Sequence, residues 1–153
     1  MADLKIEEYQ VGAISTNCYF LINSDTMEVL IVDPGGSTEM LETKIRQEQL
    51  KPVAVLLTHG HFDHVMAVDS VRTAYHIPVY AAEAEKETMQ DASINLSINM
   101  GGAMLSVEAD HWLKDGETIT LLDQEVRCIL TPGHTVGGMC FYFPKAGMLF
   151  SGD

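Results

Sequence analysis

Val53-Ala54-Val55-Leu56-Leu57-Thr58-His59-Gly60-His61-Phe62-Asp63-His64 runs an apolar segment straight into a cluster of metal-binding side chains. Val53 to Leu57 has the length and β-branched content of a buried strand. Behind it, three imidazoles and a carboxylate fall within the six positions from 59 to 64. Polar side chains packed this closely need partners once they leave water, and a divalent cation supplies one to all four. Gly60 lets the loop turn tightly, so that His59 and His61 point to one side. Asp63 and His64 then enter from the following helical turn. Four close donors converge poorly on one tetrahedral ion, and the spacing suits two neighbouring cations better.

Working outward, the first third reads as strands over Leu4 to Val11, Asn17 to Asn23 and Glu28 to Val32. Asp33-Pro34-Gly35-Gly36 stops the third run. Ser37 can cap a helix through about Gln49, with Leu41 and Ile45 on one face. A second helix is expected over Met66 to Tyr75, a short strand over Val79 to Ala81, and a polar helix near Glu83 to Gln90. Asp91 to Asp110 has apolar residues around Gly101-Gly102 without a clean period and reads as a loop. Further strands follow near Glu117 to Leu121, Gln124 to Leu130, Met139 to Phe143 and Met148 to Phe150. The strand, helix, strand order predicts an α/β fold in layers.

A chain of 153 residues is long enough for one domain with a core of its own. A net charge of −13 with only nine Lys and Arg argues against nucleic acid as a partner, because phosphate contacts need cations to displace counterions. The start lacks an apolar signal-like region and no stretch reaches transmembrane length, so the expectation is a soluble, cytoplasmic protein with no membrane partner. Cys18, Cys128 and Cys140 form no CxxC pair and each lies in an apolar run. They read as small buried hydrophobes in a reducing compartment.

Two downstream pieces complete the pattern. Thr131-Pro132-Gly133-His134-Thr135 follows a strand, and Ser151-Gly152-Asp153 places a carboxylate just past another. Singly, these are an ordinary loop histidine and a turn aspartate. Together, His59-x-His61-x-Asp63-His64, Gly133-His134-Thr135 and Ser151-Gly152-Asp153 resemble the metallo-β-lactamase superfamily, most of all its glyoxalase II-like hydrolases. Asn17-Cys18-Tyr19, Asp33-Pro34-Gly35 and Leu113-Lys114-Asp115-Gly116 are similar as well.

The resemblance implies an αββα sandwich with the site at one edge of two sheets. It implies that His59, His61 and His134 hold one metal, that Asp63 and His64 belong to a second, and that Asp153 bridges both. The implied cofactor is two zinc ions, with iron as the alternative. The implied reaction is attack of a metal-held hydroxide on a small thioester or ester, with Asp63 also orienting the nucleophile. An iron-dependent persulfide dioxygenase-like enzyme is the runner-up. A metal-binding half-domain without turnover is the third reading. Members of the family continue past the position of Asp153 and gain a late histidine there. Residues 1–153 are therefore expected to be one domain that is incomplete at its C-terminal end, with an uncovered sheet edge open to self-association. His76 and His111 match no ligand of the family.

Overall fold

A computed structural model describes residues 4–11, 16–34, 38–58, 68–85, 109–122, 124–131, 138–145 and 147–150. The elements run β1 (Leu4–Val11), β2 (Thr16–Asn23), β3 (Glu28–Val32), α1 (Thr38–Gln47), β4 (Lys51–Leu56), α2 (Val68–Tyr75), β5 (Val79–Ala82), a 3₁₀ turn at Glu83–Glu85, β6 (His111–Leu113), β7 (Thr118–Leu121), β8 (Gln124–Leu130), β9 (Met139–Phe143) and β10 (Met148–Phe150). β1 to β6 form one mixed sheet in chain order. Its first three strands pair antiparallel, and β3, β4, β5 and β6 pair parallel. The second sheet has the order β10-β9-β8-β7 and is antiparallel throughout.

The period-2 alternation of β2 divides the core into two layers. Cys18, Phe20 and Ile22 pack with Leu41 and Ile45 of α1 and with Val68 and Val71 of α2. Leu21 points the other way and joins Leu30, Val32, Ala54 and Leu56 against Val126, Cys128, Phe141, Phe143 and Phe150 of the second sheet. The order helices, sheet, sheet is thus present. The outer face of the second sheet presents Ile129 and Leu149, 40% and 57% exposed.

Several boundaries differ from the sequence reading for identifiable reasons. The first helix stops at Gln47 because Gln49 turns left-handed, at φ 55°. Leu50 N then donates to Ile45 O at 2.9 Å and Gln49 N to Arg46 O at 3.3 Å, satisfying carbonyls of the last turn. Since glycine takes this conformation without a Cβ penalty, Gln49→Gly is expected to stabilise the fold by about 0.5–1 kcal/mol. The shift of the denaturation midpoint checks it. α2 ends in the same way, with His76 at φ 53° and its N–H on Arg72 O.

β4 starts at Lys51, and Pro52 inside it costs a ladder bond. The register against β3 slips there, pairing Val29 with Pro52 and Leu30 with Ala54. Of the expected helix at Glu83 to Gln90, Glu83–Glu85 form a 3₁₀ turn, and residues 86–90 lie outside those described. The strand β6 was not anticipated, since three residues carry no readable period.

Candidate metal centre

Three chain segments bearing the sequence-predicted ligands leave the fold at one edge. β4 is the first. Leu57 N donates to Tyr80 O of β5, and the chain exits at Thr58, one residue before His59. A buried carboxylate holds that exit. Asp33, 1% exposed, follows β3 directly and has φ 55°. Its Oδ1 accepts Thr58 N–H at 2.8 Å and its Oδ2 accepts Thr58 Oγ1–H at 2.5 Å. Asp33 N in turn donates to Leu56 O. A carboxylate so deep needs donors, and Thr58 provides two.

The second segment bears His134. Thr131 N donates to Gly138 O at 2.7 Å, so the described residues on either side of 132–137 are bonded to each other. Met139 N then donates to Thr58 O, also at 2.7 Å. This bond ties the start of β9 to Thr58 at the exit of β4 and links the two sheets. The third segment follows β10, which runs back along β9 with Phe150 opposite Phe141. β10 therefore heads for the same edge, and Asp153 stands three positions beyond Phe150.

The ligand side chains themselves, those of His59, His61, Asp63, His64, His134 and Asp153, lie outside the described residues. Among the described residues no group of three or more His, Cys, Asp or Glu is placed to hold a cation. His111 stacks on Tyr80 with ring centroids 4.5 Å apart, and His76 caps α2. The donor set fits a borderline divalent ion, imidazole and carboxylate being its common ligands. The roots of the first two segments also meet at Thr58, and β10 runs toward the same edge.

Two residues at these roots were not recognised from sequence as supports. One is Asp33, read as part of a strand stop. The other is Asp115, which the sequence shows only within the family-like stretch Leu113-Lys114-Asp115-Gly116. β8 outruns β7, and a side-chain oxygen takes over where the ladder ends: Leu130 N donates to Asp115 Oδ1 at 2.8 Å. Gly116, with φ 80°, makes the turn that allows this, and its N–H donates to Cys128 O. Asp115 therefore fixes the last residue of β8 next to the loop of His134. Asp115→Ala is expected to cost about 1 kcal/mol of stability and to weaken zinc binding roughly tenfold, with Asp115→Asn close to wild type. Thermal unfolding with and without zinc, together with a zinc competition titration, reads both effects.

The cysteines are buried free thiols, as their apolar surroundings suggested. Burial pushes Cys18 well above the usual thiol range, and the nearby charge of Asp33 adds to the rise. Burial and Glu117 push Cys128 up to about 12. Neither thiol is ionised at neutral pH, so neither serves there as a ready ligand or nucleophile.

Comparison with known proteins agrees with this frame. The family model for the metallo-beta-lactamase superfamily matches residues 11–153. "Probable metallo-hydrolase YqgX" of Bacillus subtilis is 38% identical over 151 residues, covering 98% of this chain and 71% of that protein. "Probable polyketide biosynthesis zinc-dependent hydrolase BaeB" of Bacillus velezensis is 32% identical over 139 residues, covering 91% and 55%. "Hydroxyacylglutathione hydrolase" of Bdellovibrio bacteriovorus is 30% identical over 144 residues, covering 94% and 50%. The chain thus spans from half to about seven tenths of these relatives.

Among solved structures, BLEG-1 B3 metallo-beta-lactamase superposes with a TM-score of 0.89 at 40% identity, covering 96% of this chain and 71% of that one. TTHA1623 in a di-iron-bound form superposes with a TM-score of 0.78 at 27% identity, covering 95% and 70%. Family model, curated relatives and superposed folds agree, and the chain belongs to the metallo-β-lactamase superfamily.

Proposed function

We propose that the protein is a metal-dependent hydrolase of small thioesters or esters. The observation that carries this reading is the convergence on Thr58 of the segments bearing residues 59–64 and residue 134, with β10 directed to the same edge. His59, His61 and His134 are assigned to one cation, Asp63 and His64 to a second, and Asp153 to both. When bound, such cations polarise a carbonyl and lower the pKa of water toward neutrality. The chain's own part is to hold the donors in register. Asp33 holds Thr58, the residue before His59, Asp115 holds the end of β8, and Asp63 is assigned to orient the attacking water. That water adds its oxygen to the acyl carbon as the C–S or C–O bond breaks. The products are an acid and a thiol or alcohol.

Support for a thioester comes from the hydroxyacylglutathione hydrolase relative, and support for zinc from the zinc-dependent one. The di-iron-bound neighbour favours a second reading in which iron occupies the same donors. Metal analysis of purified protein separates the two. Chelation is expected to abolish thioester hydrolysis and added zinc to restore it. Turnover indifferent to chelators would refute the proposal.

A further inference from the structure

A cleft of about 460 Å³ opens at the edge of the fold where Thr58 stands, lined by Glu83, Ala84, Leu113, Lys114, Asp115 and Leu130. Topology fixes its place. Glu83 is the first residue after β5, Leu113 is the last of β6, and Leu130 is the last of β8. β4, β5 and β6 are parallel, so all three run out at the edge where Thr58 stands. β8 ends there too, because Met139, at the head of the next strand, donates to Thr58. Neighbouring strands are about 4.8 Å apart, which puts the cleft, two strands over, on the order of 10 Å from the root of the histidine loop. A substrate that reacts at the centre and also reaches the cleft has to span about that distance.

We propose that this cleft receives the non-reacting end of the substrate, and that this end is a zwitterion on a short apolar stem, the chemistry of an amino acid. Leu113 is buried, Leu130 is half-buried, and with Ala84 they offer an apolar wall. The rim carries both signs of charge. Lys114 and Glu83 are exposed there, and neither is in an ion pair with another described residue. Asp115 has one oxygen engaged by Leu130 N–H and adds a second negative charge. A purely anionic end faces two carboxylates, and a purely cationic end faces the ammonium of Lys114. A zwitterion satisfies both. Naming this end as the non-reacting one rests on the hydrolase reading, whereas binding in the cleft does not.

The test is equilibrium binding to the zinc-loaded full chain by ligand-observed NMR, using three probes that share one carbon chain. Norleucine carries both charges, hexanoate lacks the ammonium, and pentylamine lacks the carboxylate. Norleucine is expected to bind about threefold to tenfold more tightly than either. Lys114→Ala is expected to weaken norleucine and hexanoate by about threefold to fivefold and to spare pentylamine. Glu83→Ala is expected to weaken norleucine and pentylamine and to spare hexanoate. Affinities untouched by both substitutions, as coordination of the probe to zinc would give, overturn the proposal. So does norleucine binding no better than the singly charged probes, or no measurable binding at all. Failure of the hydrolase reading would appear as chelator-indifferent turnover and would leave these affinities standing.

Discussion

His134→Ala is expected to lower thioester kcat/KM by at least about 10³-fold while the fold survives. The described residues that flank His134 are held by the Thr131–Gly138 bond and by Met139 N–H on Thr58 O. None of those contacts involves the imidazole, so removing the ring leaves the frame in place. What is lost is one donor of the proposed first cation. Zinc content should fall together with activity, and an unchanged circular dichroism spectrum would separate this loss from unfolding. Full activity in His134→Ala would detach the second loop from the centre and end the hydrolase reading as assigned.

Asp33→Ala should be the most damaging substitution among the described residues at the site. It strips the partner from both Thr58 N–H and Thr58 Oγ1–H in a buried place, and it leaves alanine at φ 55°. Unmet buried donors cost about 1–3 kcal/mol, and a left-handed alanine about 1–2 more. A loss of about 2–5 kcal/mol is expected in urea unfolding. Because Thr58 leads into the histidine loop, zinc affinity should fall by about 10- to 100-fold as well. Asp33→Asn keeps an acceptor and tolerates the left-handed backbone, so it should lie between the two. A stability loss without any change in zinc affinity would show that the bond supports the sheet and not the loop.

The parts of the molecule legible in the sequence are those written in local pattern. The strand before His59 is legible as a continuous apolar run, and the amphipathic spacing of Leu41 and Ile45 in α1 and the alternating β8 have periods long enough to read. β6 has three residues and exists because β5 offers it a parallel edge, so nothing local announces it. The end of α1 at Gln47 depends on a left-handed glutamine, a conformation that its side chain does not advertise. The site divides in the same way. Its donor residues stand out as a motif, whereas their supports act at a distance. Asp33 serves a residue 25 positions away and Asp115 one 15 positions away. In the sequence each is only an aspartate beside a turn. Each became a support only once the fold gave it a backbone amide to accept.

The bond from Met139 to Thr58 also bears on the order in which the chain organises itself. Every strand pairing in either sheet links neighbours close in sequence or successive parallel strands, but this contact bridges the first sheet to the second. Closing so large a loop is entropically late. Zinc uptake in a refolding experiment should therefore trail the formation of β structure and coincide with docking of the sheets. An ion so captured would act as a latch on the finished architecture.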